Sequence, residues 1–556
     1  MTLRPGPFNP SQAIQQAVAL HQQGRLDEAS TLYTRVLKTQ RDNFDALHLL
    51  GMLNHQRGKA GEAYRLITAA LKVQPRSPDA LSNLALVLHA LKRSGEALAA
   101  LDKALSLSPG HLDALNNRGN VLLDLQRPAE AIASFDAVLA KAPRHVQALI
   151  NRGNARAAMN EAGPALADYD AALAAAPGHP LALYNRGNAL RALGREQDAL
   201  AAYDGALAAA PNYASAWTNR GMALAAQNRH GEAVASYNRA LALQPDNADV
   251  HFNNALSLLT IGDYPRGLAE YEWRFKRAGI GLRKDLRRPL WLGETPLAGK
   301  TILLHAEQGL GDTIMFARYA PLLARTGARV VLEVQPELKA LLAGLEGVGA
   351  IVAHGEPLPP VDVHCPLTSL PFACKTELSS VPAEIPYLRA SDAQLAKWQP
   401  RLAGALPRVA LAWSGRATHV NDRNRSLSLS QLEPLLAAED VRFVSLQREL
   451  RAADAELLAH DPRIAHLGGE LADFTDTAAV LSTVELLICV DTSIAHLAGA
   501  LGRPAFVLLP FQPDWRWTLD RDRSPWYPAM KLFRQPKAGD WASVVARVLE
   551  ELAKLD

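Results

Sequence analysis

Four segments in the second half of the chain combine glycine, hydroxyl and charged residues in patterns suited to group transfer. The first is Glu307-Gln308-Gly309-Leu310-Gly311-Asp312-Thr313. Its two glycines allow close approach of a ligand to the backbone, and its acid stands where a helix should begin. Asp312 then has two readings. It satisfies free N–H groups at the helix start, or it acts as a general base toward an attacking hydroxyl. The third glycine of a dinucleotide fingerprint and the Gly-Lys-Ser/Thr of a P-loop are both missing.

The second segment is Asp491-Thr492-Ser493-Ile494-Ala495-His496. The hydroxyls of Thr492 and Ser493 and the amides of a helix start suit a phosphate or another anion. Asp491 and His496 are candidates for holding sugar or nucleotide hydroxyls, a structural histidine being the plain alternative. In the third segment a turn at Gly415 leads to Asn421-Asp422-Arg423-Asn424-Arg425. Arg423 and Arg425 would neutralise a diphosphate, or they are solvated loop charge. The fourth, Phe511-Gln512-Pro513-Asp514-Trp515-Arg516-Trp517, suits the lining of a cleft or the closing of a lid, or else a core role for its tryptophans.

These segments need strands to place them. Apolar runs bounded by turns fall at 301–305, 330–334, 350–353 and 361–364, with a helix near 313–326. After a stretch rich in Pro, Ala and Ser at 370–405, runs resume at 408–413, 441–446, 485–490 and 504–509. Short buried strands alternating with helices predict parallel sheets. A break between two such sets predicts two Rossmann-like domains with a cleft between them.

The first half has a different logic. Proline recurs every 34 residues, at 75, 109, 143, 177, 211 and 245. Small residues keep that period at Gly51, Ala85, Gly119, Gly153, Gly187, Gly221 and Ala255, and a second series begins at Ala29, Ala63 and Ala97. Each unit reads as a helix pair that buries its apolar face only against the next unit. Asparagine holds one phase at Asn83, Asn117, Asn151, Asn185, Asn219 and Asn253. A helix interior gives asparagine no propensity advantage. A carboxamide can donate to and accept from a peptide backbone, or it can join neighbouring units, and both readings stand. Asn120, Asn154 and Asn188 would widen the polar strip. The boundaries predicted are a repeat array over 1–280, a first Rossmann-like domain over 281–400 and a second over 401–556.

Lys plus Arg is 59 against 56 for Asp plus Glu, a net charge of +3 that argues for neither nucleic acid nor an anionic membrane. The three cysteines, Cys365, Cys374 and Cys489, form no disulfide framework. Neither a signal-peptide core nor a spanning segment is evident, so a cytoplasmic protein is expected. No metal-ligand spacing is present.

The array resembles the tetratricopeptide repeat family, whose W-x2-L-G pattern survives as Trp217-Thr218-Asn219-Arg220-Gly221, with arginine for leucine. It is similar to the array of protein O-linked N-acetylglucosamine transferases, which implies that the asparagines grip an acceptor polypeptide. Segment 300–535 resembles the lipopolysaccharide heptosyltransferases, of GT-B fold, through Gly311-Asp312 and Asp491-Thr492-Ser493-Ile494-Ala495-His496. That resemblance implies Asp312 as catalytic base and donor-sugar and phosphate binding by the second motif, an arrangement in which no metal is expected. Ser493 replaces that family's glycine, and its phosphate-contacting lysine is absent, leaving Arg423 or Arg425 as substitutes. The whole order of parts resembles bacterial flagellin glycosyltransferases. The expected activity is transfer of a sugar from a CMP-, UDP- or GDP-linked donor to a Ser/Thr hydroxyl of a protein, with flagellin among the acceptors implied. A non-catalytic peptide-binding scaffold, or a transferase acting on lipid or polysaccharide, is the competing expectation.

Overall fold

The computed structural model describes residues 8–279, 283, 286–419 and 421–554. The N-terminal Met1–Pro7, part of the stretch examined for a leader, and Val420 of the arginine-rich loop lie outside the described residues. An N-terminal all-helical array of tetratricopeptide-like repeats is followed by an α/β region with two parallel sheets. The chain divides into two compact units, 1–223 and 224–556.

The first unit is built from helix pairs, beginning with Pro10–Gln22 and Leu26–Thr39 and including Val146–Ala158 with Ala162–Ala175 and Pro180–Ala192 with Glu196–Ala209. The periodic prolines stand in the turns, two residues before the residue that starts the next helix. At that starting position Asn43, Ser77, His111, His145 and His179 each accept the N–H three residues on. This satisfies one of the donors that every helix start leaves open.

The periodic small residues are places where one helix receives a ring from the other. A methyl group on Gly187 would lie 2.5 Å from the Tyr203 ring, and one on Gly153 would lie 2.5 Å from that of Tyr169. The buried hydroxyls of these tyrosines donate to Asn188 and Asn154, each at 2.8 Å. Arginine in place of the family leucine also has a periodic partner. Arg118 pairs with Asp102 at 2.8 Å, Arg152 with Asp136 at 2.6 Å, Arg186 with Asp170 at 2.7 Å and Arg220 with Asp204 at 2.6 Å. Each joins one unit to the second helix of the unit before.

In the second unit, strands β1 (Thr301–His305), β2 (Arg329–Val334), β3 (Val348–Ala353) and β4 (Val363–Pro366) form a parallel sheet in the order β3-β2-β1-β4. Strands β5 (Arg408–Ala412), β6 (Arg442–Ser445), β7 (Ile464–His466), β8 (Leu486–Val490), β9 (Ala505–Leu509) and β10 (Met530–Arg534) form a second, ordered β10-β9-β8-β5-β6-β7. The expected helix near 313–326 is two short ones, Leu310–Phe316 and Tyr319–Ala324. Strands β7 and β10 were not among those expected.

Alternation along β5 shows how the second sheet is covered. Val409, Leu411 and Trp413 face a core shared with the C-terminal helix Trp541–Leu552. Ala410 and Ala412 face the opposite core, which is continuous with Ile302, Leu304 and Leu332 of the first sheet and with Leu259, Tyr264 and Tyr271 of the last helix pair. Small residues on that face let the helices Phe474–Thr483 and Ser493–Ala500 lie close to the sheet. Among the described residues, Arg318 is buried without a carboxylate partner. Its guanidinium donates to the carbonyls of Pro382 at 3.0 Å and Trp526 at 2.8 Å and lies over the Tyr527 ring.

In an open helix, glycine to alanine gains about 1 kcal/mol. Gly187→Ala should instead destabilise the array by about 1–3 kcal/mol, because the added methyl meets the Tyr203 ring. Gly163→Ala, with nothing within 4 Å, should be neutral or stabilising. Urea unfolding of the two variants, followed by circular dichroism, distinguishes the outcomes.

Candidate functional site

In open parallel sheets, loops at the strand-order reversal are left uncovered at the carboxyl ends of the strands. The reversal lies between β1 and β4 in the first sheet and between β5 and β8 in the second. The three motif loops leave β1, β5 and β8, so all three leave reversal strands. The helices that follow β1 and β8, Leu310–Phe316 and Ser493–Ala500, start against one another. A methyl group on Gly311 would lie 2.8 Å from the His496 ring and 3.4 Å from the Ser493 Cα. Glycine at 311 is thus required by contact between the two halves of the unit.

Asp312 is not the cap residue, which is Gly309, but the third residue of the helix. Its side chain reaches back to that cap with one oxygen and leaves the other for a second partner. Its Oδ2 accepts the Gly309 N–H at 3.1 Å, and its Oδ1 accepts from the Arg516 guanidinium. Arg516 is only 8% exposed and comes from the loop after β9. Its Nη1 donates to Asp514 at 2.7 Å, and it lies over the Trp515 ring. Burial works against this charge, but Asp312 and Asp514 outweigh it and hold the pKa above the ordinary arginine value. The 511–517 segment was expected to line a cleft, close a lid or enter a core, and its tryptophans take the core role. Trp515 and Trp517 are buried, while Arg516 reaches the glycine loop.

Asp491 is half-buried at the end of β8. Burial and the nearby Asp514 push its carboxyl up to about 6, against the pull of Arg425. Arg425 donates to the Asp491 carbonyl at 3.0 Å. Its guanidinium also occupies the space beside Gly415, where a methyl group would lie 2.6 Å from Nη2. Arg425 Nε and Thr492 Oγ1 are buried polar atoms without a partner among the described residues. Such atoms are costly unless a ligand or solvent completes them. Ser493 is half-buried in the first turn. Arg423 is exposed, so of the two candidate arginines it is Arg425 that the fold brings to the β8 loop.

His496 is the first site residue whose surroundings differ from the expectation of ligand contact. It is 5% exposed, stacked on Trp517 with ring centroids 5.4 Å apart, and its Nδ1 lies 3.2 Å from the Tyr527 hydroxyl. Its position is one of packing between the two helix starts.

The glycine loop is also held from the last helix pair and the short turn Glu272–Lys276 that follows it. Arg274, 2% exposed, donates to Glu307 at 2.8 Å, to Glu272 at 2.6 Å and to Ser369 at 2.6 Å, and Gln308 donates to the Tyr271 hydroxyl at 2.9 Å. Asn228 donates to the Phe511 carbonyl at 2.6 Å, at the root of the loop bearing Arg516. Sequence reading missed these anchors because their partners are far apart along the chain.

The repeated asparagines have a use inside the array. Asn83 lies 2.9 Å from His48 Nε2, Asn117 donates to Ser82 at 3.3 Å and Asn185 to Asn154 at 2.8 Å. Asn219 donates to Asn188 at 2.7 Å and to the Tyr184 hydroxyl at 3.1 Å. Each contact reaches the preceding unit. Asn151 is 7% exposed and engaged at both ends, donating to Asn116 at 3.3 Å and accepting from Gln147 at 2.9 Å. Asn83, Asn117, Asn185, Asn219 and Asn253 remain half-buried. A hollow of about 400 Å³ is lined by Asn154, Asn160, Tyr169, Asn185 and Asn188. Among the described residues no group of three or more His, Cys, Asp or Glu could hold a metal, and no helix is long and apolar enough to cross a membrane.

The tetratricopeptide repeat family model matches four overlapping stretches between residues 116 and 279, and that of anaphase-promoting complex, cyclosome, subunit 3 matches 22–104. The glycosyltransferase family 9 (heptosyltransferase) model matches 435–510, which contains the β8 motif. Protein FlbA of Caulobacter vibrioides is 28% identical over 329 residues, which is 53% of this chain and 53% of that protein. The chain thus spans about half the length of that relative. Among solved structures, a tetratricopeptide repeat protein from Parabacteroides merdae is 19% identical, with 45% of this chain and 98% of that one covered, at a TM-score of 0.38. The type IV pilus biogenesis factor PilW is 26% identical, with 36% and 94% covered, at a TM-score of 0.35. The chain therefore joins a tetratricopeptide-repeat region to a heptosyltransferase-like domain.

Burial, reinforced by Arg516 and Arg318 and opposed by Asp514, holds the His496 pKa down to about 3. The same imidazole in the unfolded chain titrates near 6.5. The unfolded state then binds more protons between these values, so the contribution is complete above about 6.5 and falls as pH drops toward about 3, at about 1.4 kcal/mol per unit. His496→Gln cannot take up that proton. Its melting temperature should fall less than that of the wild type between about pH 7 and about pH 4.5, as measured by calorimetry.

Proposed function

We propose that the chain is a glycosyltransferase that moves a sugar from a nucleotide-activated donor to a serine or threonine hydroxyl of a polypeptide held by the repeats, flagellin being one such acceptor. The observation that carries the reading is Asp312 at the β1 reversal, packed through Gly311 against the helix start at Thr492 and Ser493. One helix start thus brings a proton acceptor, and the other brings donors suited to a phosphate.

The acceptor oxygen attacks the anomeric carbon, forming the new glycosidic bond as the bond to the donor phosphate breaks. The hydroxyl proton passes to Asp312, and the electron pair of the broken bond leaves with the nucleotide. Arg425, Thr492 and the amides of the Ser493 helix stabilise the negative charge that develops on the departing phosphate. Asp491, with its carboxyl near 6, can accept from or donate to a sugar hydroxyl. None of these steps calls for a metal. The half-buried asparagines Asn83, Asn117, Asn185 and Asn219 offer amide capacity beyond their contacts to the preceding repeat for an acceptor backbone, and the half-buried Asn253 continues the series. A cytoplasmic site of action suits a nucleotide-linked donor.

Binding of CMP, UDP, GDP and ADP by calorimetry should select one base. With the matching nucleotide sugar, intact-mass measurement should detect glycosylated protein in an extract. Asp312→Asn should lower transfer by about 10²–10⁴-fold while nucleotide affinity stays near wild type. Full transfer by Asp312→Asn would overturn the assignment of the base, and nucleotide binding with no transfer by the wild-type chain would favour a non-catalytic scaffold.

A further inference from the structure

We infer that Arg516 is a positioning residue for sugar transfer, holding Asp312 in one orientation from the opposite half of the unit. The inference rests on the proposed role of Asp312 as base. Asp312 follows β1 of the first sheet and Arg516 follows β9 of the second, 204 positions away. The pair therefore exists only while the loop after β9 lies against the loop after β1.

The arrangement around the guanidinium is directional. Asp514 Oδ1 accepts both the Arg516 backbone N–H at 3.0 Å and its Nη1 at 2.7 Å, which fixes the root and one branch of the side chain. The other branch, Nη2, points to Asp312 Oδ1. Trp515 covers the guanidinium at 4.6 Å, and Phe316, from the same helix as Asp312, lies 5.7 Å away. Asp312 is in turn held at Oδ2 by the Gly309 N–H at 3.1 Å. With both oxygens engaged, the carboxylate cannot rotate freely, and the directions left to its remaining lone pairs are restricted. Small losses of such alignment reduce turnover steeply.

A simple brace would not require this chemistry. The planar guanidinium reaches two carboxylates at once, which the single ammonium of lysine does less well. Arg516 Nε is buried and has no partner among the described residues. The loop's root is held by Asn228, so the position of Arg516 is set outside the sheet that carries it.

The test uses the full-length chain and nucleotide release from a panel of UDP-, GDP- and CMP-linked sugars in the presence of acceptor extract. Arg516→Met should lower turnover by roughly 10²-fold, with the KM for the donor changed by less than about threefold. Arg516→Lys should recover at least about tenfold of that loss, and Asp514→Asn should lower turnover by about 3–10-fold with unchanged KM. Arg516→Met turnover within about threefold of wild type, or a rise in KM alone, would overturn the positioning role. If Arg516→Met does not fold, Asp514→Asn decides, and its unchanged turnover would overturn the role. A wild-type chain that releases nucleotide from no donor overturns the transferase reading and this role together. Normal wild-type turnover with indifferent Arg516 and Asp514 variants overturns this role alone.

Discussion

Two helix starts are forced against each other where the sheets of the second unit reverse their order, and the local chemistry follows from that contact. Each start carries unsatisfied N–H groups and partial positive charge. Bringing them together is unfavourable unless anionic groups enter the same space. Asp312 enters from one helix and Asp491 precedes the other, with Asp514 beside them. Three carboxylates then need cations, and Arg516 and Arg425 come from loops that cover the same strand ends. Gly311 is the steric condition for all of this, since a side chain there would push the His496 helix away.

The array solves a different problem with equally local means. Adjacent helices gain area when a ring fills the space left by glycine, as at Gly153 with Tyr169 and Gly187 with Tyr203. A buried ring with a hydroxyl then needs a polar partner, and Asn154 and Asn188 supply it. The same two asparagines accept from Asn185 and Asn219 of the following unit, so packing within one unit is tied to registry with the next. The Arg–Asp series repeats this tie on charged side chains, of which the exposed members contribute little individually. Asp168 stands outside that series, within one helix pair. Buried to 2% exposure, it accepts from Arg152 and Arg156 and would leave an uncompensated charge if either were lost.

Periodicity made the array legible, because one residue in 34 had to be proline or small for the same reason each time. The strong strands were legible as apolar runs ending in turns. Strand β7 was not, since Ile464–His466 is a three-residue edge with one fully buried side chain, and neither was β10, whose Met530-Lys531-Leu532-Phe533-Arg534 mixes cations into the pattern. Gly311 and Asp312 stood out because few loops place glycine and acid together at a helix start. Arg516 did not, because its meaning depends on a partner 204 residues away, and nothing local in Asp514-Trp515-Arg516-Trp517 separates a charged bridge from a buried aromatic turn. The Arg–Asp series was readable in principle. Asp102, Asp136, Asp170 and Asp204 share the array's period, each 16 residues before its arginine.

The amide series bears on how an acceptor would be recognised. A carboxamide has two donor hydrogens and two acceptor lone pairs. The contacts to the preceding unit use only part of that capacity at Asn83, Asn117, Asn185 and Asn219, whereas Asn151 is engaged at both ends and buried. What remains is suited to peptide N–H and C=O groups, which every acceptor sequence carries. Recognition by such groups discriminates weakly between side chains. Under the proposed function, selection of the modified hydroxyl would then fall to the surroundings of Asp312, where an acceptor oxygen must meet a carboxylate already held by Gly309 and Arg516. A narrow orientation at the reacting atom and a tolerant grip elsewhere are compatible, because the first sets the rate of transfer and the second sets how long the chain is retained.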